Sequence, residues 1–458
     1  MEIEVLGWVI SVEPGEILGP GMFLGLVVAL LSGYPVAFGL GGVAVVFAAL
    51  AMALGVIDAS FLSALPQRIF GIMGNVTLLA IPAFVFMGAM LEQSGIAERL
   101  LETMGRLMGR LRGGLALAVV LVGTVLAATT GVIAATVTTM GLISLPAMLR
   151  AGYDRSLAAG VIAASGTLGQ IIPPSIVLVV LGDQLGVPVG ELFLGSVIPG
   201  LLMSGAFALY VVVISALRPE LAPPLDTTGL PPLTASGLVN VLAAPLGLIL
   251  LVLGSIFFGV ATPTEAGVLG AVGAMGLAAL QGGFSRAALR QVSDSTVRTT
   301  AMVLAILIGS TAFSLVFRGV GGDVLISHLL LHLPGGRAGF LAVSMLVIFA
   351  LGFFIDFFEI AFIVVPLLLP TARQLLGPEG LLWLGVVIGA NLQTSFLTPP
   401  FGFALFYLRG VAPEGVSTGD IYRGAIPFIA LQLTVVLLIL IFPQLVTTLP
   451  SLASAAGG

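Results

Sequence analysis

Two Pro-Pro pairs with neighbouring hydroxyl groups are the best candidates in this chain for binding a ligand. Pro173-Pro174 lies in GQIIPPS and Pro399-Pro400 lies in SFLTPPF. Each pair removes two backbone donors and disfavours helical geometry at the preceding residue, so nearby carbonyl groups lose their intrahelical partners. Carbonyls freed in this way are the oxygen ligands that Na⁺ coordination by membrane helices uses. The candidate sodium ligands are Thr129, Thr130, Ser165, Gly169, the carbonyls of Gln170–Pro173, which include Ile172 and Pro173, and Asn391, Thr394, Ser395, Thr398 and Pro399.

Three ionisable residues lie in or beside apolar sequence. Asp356 and Glu359 are one helical turn apart, and Arg318 follows an uncharged run at 299–317. Ionisable groups at membrane depth are functional by default, because burying a charge in lipid is costly. Arg318 offers a planar fork that fits a carboxylate, so we predict that it holds an organic anion, while Asp356 orders its turn or binds substrate hydroxyls. An ion pair between Arg318 and Asp356, or an arginine that snorkels to the interface, is the structural alternative.

The composition indicates a membrane protein. Of 458 residues, 59% are hydrophobic and 8% are charged, whereas about 25% of an ordinary globular chain is charged. Because backbone exposed to lipid must satisfy its own hydrogen bonds, we predict an all-α polytopic membrane protein. The net charge of −5 and the absence of cysteine exclude a basic nucleic-acid surface, disulfides and thiolate chemistry. The uncharged windows of near-spanning length are 69–91, 114–149, 156–182, 192–217, 266–285, 299–317 and 380–408.

The two halves of the chain repeat one pattern. A Pro-rich polar stretch at 218–237 is predicted to link a first repeat at 1–217 to a second repeat at 238–458. In transporters a duplicated unit is usually an inverted repeat. The alternatives are that each Pro-Pro pair is a simple proline kink and that the shared spacing is a coincidence. Two breaks at equivalent positions favour an ion-binding site instead. The offset of 226 residues relates the Pro-Pro pairs and also Thr130 to Asp356, Ser165 to Asn391, and Gly113 to Gly339.

Arginine positions favour the inversion. Arginines cluster at 99–112, 150–155 and 286–298, which the positive-inside rule places in the cytoplasm. The 36 uncharged residues at 114–149, between the first two clusters, would span ~54 Å as one helix, against a ~30 Å hydrocarbon core. We therefore predict a re-entrant hairpin at 114–149 and a second, entered from the opposite face, at 338–376 with its tip near Asp356. Interfacial helices at 92–113 and 318–337 are predicted to precede the hairpins, with solvated connectors as the alternative, and broken helices at 156–182 and 381–409 to follow them.

Four motifs resemble those of one transporter family. They are ATTGVIAATVTTMGLISLPAMLRAGYDRSLAAGVIAASGTLGQIIPPSIVLVVLGDQLGV, GELFLGSVIPGLL, GVATPTEAGVLGA and NLQTSFLTPPFGFALF. Over nearly the whole chain the sequence resembles the large membrane subunit of tripartite ATP-independent periplasmic (TRAP) transporters. The resemblance implies an elevator-type fold of the ion-transporter superfamily and a Na⁺-coupled importer of organic acids in the bacterial inner membrane, not an enzyme. It also implies a periplasmic substrate-binding protein and a separate small membrane subunit, since this chain has no room for a fused one.

The resemblance also assigns residues. It locates sodium ligands near the hairpin tips and broken helices, which adds Gly131 and Asp356, and it matches the substrate region to Thr130, Ser175, Arg318 and Asp356. No cofactor is implied besides Na⁺ as the coupling ion. Phe357-Phe358-Glu359 departs from the small residues that the family often has after this aspartate, so the substrate stays open. A stand-alone carrier would need no binding protein, and a passive channel would ignore a sodium gradient; both are alternatives.

Overall fold

The computed structural model describes residues 2–5, 8–11, 14–130, 133–225 and 235–457. Within these ranges the fold is helical, apart from one antiparallel pair of short strands, Glu2–Val5 and Trp8–Ser11. Seven of the helices are long and apolar enough to cross a membrane, or eight if Ala59–Met73 and Thr77–Gln93 form one interrupted span. The predicted all-α polytopic fold is confirmed.

The described part of the first half contains ten α-helices. Three 3₁₀ turns, Ala59–Ser63, Thr77–Leu79 and Leu168–Gln170, lie between them, and a fourth at Pro219–Leu221 follows the last helix. The helices are α1 (Pro14–Leu31), α2 (Val36–Ala53), α3 (Ala64–Met73), α4 (Ala80–Gln93), α5 (Ile96–Met108), α6 (Gly114–Thr130), α7 (Ile133–Arg150), α8 (Arg155–Thr167), α9 (Ile176–Leu185) and α10 (Val189–Leu217).

The second half also has ten helices in its described part. A π-helical turn, Ile360–Val364, joins α16 to α17, and α17 is kinked at Gly377, where φ is 73°. The helices are α11 (Ala235–Phe257), α12 (Pro263–Leu280), α13 (Arg286–Gly319), α14 (Gly322–Leu331), α15 (Arg337–Leu351), α16 (Phe357–Glu359), α17 (Val365–Ser395), α18 (Phe403–Val411), α19 (Thr418–Ile441) and α20 (Gln444–Gly457).

Helix bounds recur at the offset of the Pro-Pro pairs. Adding 226 to the bounds of α5, α9 and α10 gives 322–334, 402–411 and 415–443, close to α14, α18 and α19. The halves differ where Gly74-Asn75 separates α3 from α4, because the equivalent Thr300 and Ala301 lie inside the continuous helix α13. Glycine and asparagine favour a helix end more than threonine and alanine do. The predicted boundaries of the repeats and their inversion across a membrane stay predictions.

The chain forms two compact units. Unit 1 comprises Met1–Val76, Thr299–Val347 and Ile355–Leu381, and unit 2 comprises Thr77–Arg298, Ile348–Phe354 and Leu382–Gly458. In unit 1, Phe47 of α2 lies against Gly21 and Gly25 of α1. In unit 2, α4 packs on α12 and α8 packs on α19. Both Pro-Pro breaks belong to unit 2.

The first predicted hairpin is formed by α6 and α7. The backbone N–H of Leu115, at the start of α6, donates to the hydroxyl of Tyr153, just after α7. The N–H groups of Gly113 and Asp154 donate to the carbonyls of Ala222 and Leu221, both at 2.9 Å. Because one short segment binds both ends of the hairpin, its two ends lie together, as the arginine pattern predicts. The turn residues 131–132 lie outside the described ranges.

The second predicted hairpin coincides with α15 to α17 as far as the kink at Gly377. The predicted interfacial helix before it, 318–337, is only partly helical. Gly321, Gly335 and Gly336 have positive φ angles of 76°, 89° and 53° and limit α14 to Gly322–Leu331. A left-handed backbone conformation ends a helix, and glycine adopts it without steric cost.

Glycines bring α8 and α19 into backbone contact. A Cβ atom on Gly160 would overlap the carbonyl of Gly424, and one on Gly424 would overlap the carbonyl of Ser156. Small residues at such crossings let membrane helices approach closely, so that dispersion forces hold them. The helix that carries the first Pro-Pro break is therefore fixed against α19.

Candidate functional site

The first break separates α8 from α9 and leaves carbonyl groups free. The N–H groups of Ile171 and Ile172 both donate to the carbonyl of Leu168, at 3.1 and 3.0 Å. Within the described part of the chain, no hydrogen bond reaches the carbonyls of Gly169, Ile172 or Pro173. Unpaired carbonyls inside a membrane protein are costly unless a ligand or water binds them. The break thus presents acceptor oxygens of the kind that cations bind.

Two serines flank these carbonyls. Ser165 is fully buried on α8, beside Gly123 of α6, and its Oγ has no hydrogen-bond partner in the structure. Ser175, also fully buried, donates from Oγ to the carbonyl of Gln170 at 2.7 Å and so bridges the break. Ser165 therefore offers an uncommitted oxygen, whereas the Ser175 hydroxyl proton already stabilises the local backbone.

The second break separates α17 from α18, and its hydroxyls bond to their own helix. Thr394 Oγ1, Ser395 Oγ and Thr398 Oγ1 donate to the carbonyls of residues 390, 392 and 394, at 3.1, 2.8 and 2.8 Å. A hydroxyl that donates its proton keeps lone pairs for a second partner. No hydrogen bond in the described residues reaches the Pro399 carbonyl, and Asn391 is buried with 4% of its surface exposed.

Unit 2 brings the two breaks close together. Leu178 of α9 lies over Gly389 of α17, and Leu185 lies over Gly385. The two helices are therefore antiparallel, and the start of α9 lies beside the residues that follow Gly389. Those residues include Asn391, Thr394 and Ser395. The structure therefore gathers most of the sequence-predicted sodium ligands into one region of one unit.

Asp356 and Glu359 form a helix cap in unit 1. Asp356 Oδ1 accepts a hydrogen bond from the N–H of Phe357 at 2.7 Å, and Glu359 Oε2 accepts one from the N–H of Asp356 at 2.9 Å. This reciprocal capping box orders the start of α16. Ordering of the turn is one of the two roles predicted for Asp356.

Arg318 is exposed near the end of α13. Its guanidinium has no hydrogen bond or ion pair in the part of the chain that the structure describes, so the alternative of an Arg318–Asp356 ion pair is not seen. An arginine without a protein partner keeps its full fork of donors for a ligand. Its role as an anion site stays a prediction.

The hairpin tip carries the remaining predicted residues. Thr129 and Thr130 end α6, and their side chains lie outside the described part, as does Gly131. Their assignments as sodium ligands, and that of Thr130 as a substrate residue, stay predictions.

An apolar cavity borders the first break. It has a volume of about 190 Å³ and lies between α6, Ile172, Pro173 and helices α10 and α11. Its one polar side chain is Thr124, whose hydroxyl is already bonded to that of Ser204 at 2.6 Å. This cavity offers nothing that would bind a carboxylate, so it is not the place for an organic anion.

A residue that sequence reasoning missed is Gln432. It is fully buried on α19, and its Nε2 donates to Thr167 Oγ1 at the end of α8, at 3.1 Å. The available signal was a single amide in the uncharged part of α19, since no charged residue follows Arg423 in the chain.

Comparison with known proteins identifies the family of this chain. The family model for the DctM component of the tripartite ATP-independent periplasmic transporter matches residues 23–445. The chain belongs to this family. Its members are integral membrane proteins, and this DctM-family chain, with seven or more helices long and apolar enough to span a membrane, is a multi-pass protein of the bacterial inner membrane.

Two relatives of this DctM-family chain are named C4-dicarboxylate TRAP transporter large permease proteins. The one from Pseudomonas aeruginosa is 32% identical over 388 residues, covering 84% of this chain and 88% of the relative. The one from Vibrio cholerae is 31% identical over 455 residues, covering 94% and 97%. Both are named as transporter permeases, not as enzymes.

A solved structure shares the fold. The YdaH transporter of Alcanivorax borkumensis superposes with a TM-score of 0.58 at 16% identity, covering 84% of this chain and 90% of that one. At this identity the likeness concerns the fold alone.

Proposed function

We propose that this chain is the large membrane subunit of a sodium-coupled importer of an organic acid. Substrate would be delivered by a periplasmic binding protein, and a separate small membrane subunit would complete the complex. Membership of the DctM family supports this assembly, and the names of the relatives support a carboxylate substrate.

The observation that carries the proposal is the pair of breaks side by side in unit 2. Each supplies unpaired carbonyls, and the first adds the buried, unpartnered hydroxyl of Ser165. The side chains at the breaks are neutral, so their oxygens suit a weakly charged cation that must also be released in each cycle. Freed carbonyls of discontinuous helices coordinate Na⁺ in transporters of several folds.

Sodium binding would favour transport by neutralising the surplus of carbonyl dipoles at the breaks. We propose Arg318 as a carboxylate partner of the organic anion, with Asp356, Thr130 and Ser175 as the other candidate substrate residues. We further propose an elevator motion, in which the segment that carries both breaks crosses the membrane as one body. The contacts of Leu178 and Leu185 of α9 with Gly389 and Gly385 of α17 support this, because they hold the helices next to the two breaks together within one unit.

Uptake by reconstituted protein tests the proposal. Both membrane subunits are placed in liposomes, loaded binding protein is added outside, and uptake of the acid is compared under an inward Na⁺ gradient and an equal K⁺ gradient. We expect uptake only with Na⁺ and only with binding protein. Uptake without binding protein would favour a stand-alone carrier, and flux that ignores the gradient would favour a channel.

A further inference from the structure

Gln432 has a buried amide that the site described above does not use. The side chain lies on α19 with no exposed surface, and its Nε2 donates to Thr167 Oγ1. Its Oε1 is buried and has no hydrogen-bond partner. Buried polar atoms are nearly always satisfied in native proteins, so an unpartnered carbonyl oxygen indicates a ligand or water.

The hydrogen bond to Thr167 fixes the orientation of this amide. Thr167 Oγ1 donates its single proton to the carbonyl of Ala164 at 2.8 Å, so it can only accept from a second partner. The NH₂ group of Gln432 must therefore face Thr167, and Oε1 must point away from it. The assignment of nitrogen and oxygen in this amide is thus set by chemistry.

A second buried oxygen lies on the same face as Thr167. Residues Leu168–Gln170 form a 3₁₀ turn, in which side chains three residues apart eclipse each other. Gln170 therefore follows Thr167 by one turn on the face that Gln432 contacts. Its Oε1 is also buried without a partner, while its backbone carbonyl accepts from Ser175.

These oxygens are all acceptors, so they cannot bond to one another. The amide oxygens of Gln432 and Gln170 add to the free carbonyls of Gly169 and Ile172 at the same break. A local surplus of neutral acceptors attracts a cation. The described residues contain no cluster of acidic or histidine side chains that could hold a metal ion, and neutral oxygens alone suit Na⁺ better than a divalent ion.

We propose that Gln432 and Gln170 contribute side-chain oxygens to a Na⁺ site at the end of α8, so that α19 takes part in ion binding. This inference rests on the proposed sodium coupling and adds ligands to it. The backbone contact between Gly160 and Gly424 supports it. Gln432 lies eight residues after Gly424 and Thr167 lies seven after Gly160, so α8 and α19 run in parallel and hold the amide in place.

Sodium-dependent thermal stability tests this proposal independently of transport. The full chain is purified with its small membrane subunit, and its Tm is followed as NaCl replaces KCl at constant ionic strength. We expect Gln432→Met to raise the Na⁺ concentration for half-maximal stabilisation about tenfold, the factor that one lost ligand of ordinary strength would give. Gln444→Met, at an exposed glutamine on α20, is the control and should match the parent.

Gln432→Glu separates ion binding from a purely structural role. A carboxylate can only accept from Thr167, which must then give up its bond to the Ala164 carbonyl, so we expect a purely structural amide to be impaired in this variant as in Gln432→Met. A cation ligand would be retained, and we expect the Na⁺ midpoint to stay equal to the parent value or to fall. If Gln432→Met keeps the parent midpoint, or if Gln432→Glu raises it as Gln432→Met does, the proposal is wrong.

Two further outcomes are decisive. If the parent shows no Na⁺-specific stabilisation, the proposed sodium coupling fails and this inference fails with it. If Gln432→Met does not fold, Gln170→Met takes its place, with the same rise in midpoint expected. An unchanged midpoint in Gln170→Met would then overturn the proposal while leaving the sodium coupling intact.

Discussion

The backbone N–H of Leu115 donates to the hydroxyl oxygen of Tyr153 at 3.2 Å, which ties the start of α6 to the residue that follows α7 by three positions. Burial raises the pKa of Tyr153 and outweighs the opposing effect of the Leu115 hydrogen bond. The hydroxyl therefore stays protonated at physiological pH and keeps its neutral acceptor role. This relationship fixes both ends of the first hairpin on the same side of the protein.

We predict that the two ends of this hairpin are labelled from one side of the membrane. Single cysteines at Leu111 and Arg150, both exposed, should react with an impermeant maleimide only from the cytoplasm. The cysteine-free background makes the labelling specific. Cysteines at Leu217 and Glu191, at opposite ends of α10, serve as same-side and opposite-side controls. Labelling of positions 111 and 150 from different faces would rule out the re-entrant hairpin.

Ser165→Ala should weaken sodium dependence without unfolding the protein. The change removes an unpartnered oxygen and keeps the Cβ atom that lies beside Gly123. We expect the Na⁺ concentration for half-maximal uptake to rise about fivefold, the factor that corresponds to ~1 kcal/mol for a polar contact. Ser196→Ala is the control, since Ser196 is equally buried but bonds to the carbonyl of Phe193. Equal Na⁺ midpoints in the two variants would remove Ser165 from the site.

Arg318→Lys should strongly impair uptake. Lysine keeps the charge but loses the bidentate fork that binds a carboxylate, so we expect the apparent affinity for the acid to fall about tenfold or more. An arginine that only snorkels would tolerate the change. Arg290→Lys, on the same helix α13 and also exposed, should leave uptake unchanged. The measurement is Na⁺-driven uptake in liposomes at matched reconstitution.

Loss of uptake in Arg318→Lys has a second explanation if the arginine neutralises Asp356 during the cycle. The double variant Arg318→Leu with Asp356→Leu distinguishes the two. We expect it to stay inactive, because the carboxylate partner is gone. Restored transport would mean that Arg318 neutralises the charge of Asp356, and the assignment of Arg318 to the substrate would then be wrong.

Gly160→Ala should destabilise the protein. The added methyl group would collide with the carbonyl of Gly424, so α8 and α19 must separate, and overpacking of this kind costs about 1–3 kcal/mol or more. Gly205→Ala, on α10 with open space at its Cβ position, should be neutral or slightly stabilising because alanine favours helix. Melting temperatures in detergent compare the two variants. Equal melting temperatures would show that the contact between α8 and α19 can relax.

The breaks could be predicted from the sequence because their causes are local. Proline chemistry sets the breaks at Pro173-Pro174 and Pro399-Pro400, and the uncharged stretch between two arginine clusters is too long for one span. The capping role of Asp356 could also be predicted from the sequence, since Asp-Phe-Phe-Glu has the spacing of a capping box. Local patterns of this kind survive in the folded protein because helices in lipid form by their own backbone bonds.

Contacts between distant helices could not be predicted in this way. Gln432 and Thr167 are 265 residues apart, and nothing in the periodicity of either helix indicates the other. The crossing at Gly160 and Gly424 likewise depends on which helices are neighbours. Glycine is frequent throughout this chain, at 61 residues, so its presence alone does not identify a contact.

The segment that binds both ends of the first hairpin has a consequence for dividing the protein into two polypeptides. Ala222 and Leu221 accept from Gly113 and Asp154, and the N–H of Leu225 donates to the carbonyl of Gly109 at 2.7 Å. A cut after Leu217 would separate Leu221, Ala222 and Leu225 from the fragment that contains the hairpin. The three hydrogen bonds that hold the ends of the hairpin would then join two different polypeptides. A cut beyond Leu225 would keep them with the N-terminal fragment, so a gene encoding that half alone must extend at least to this leucine.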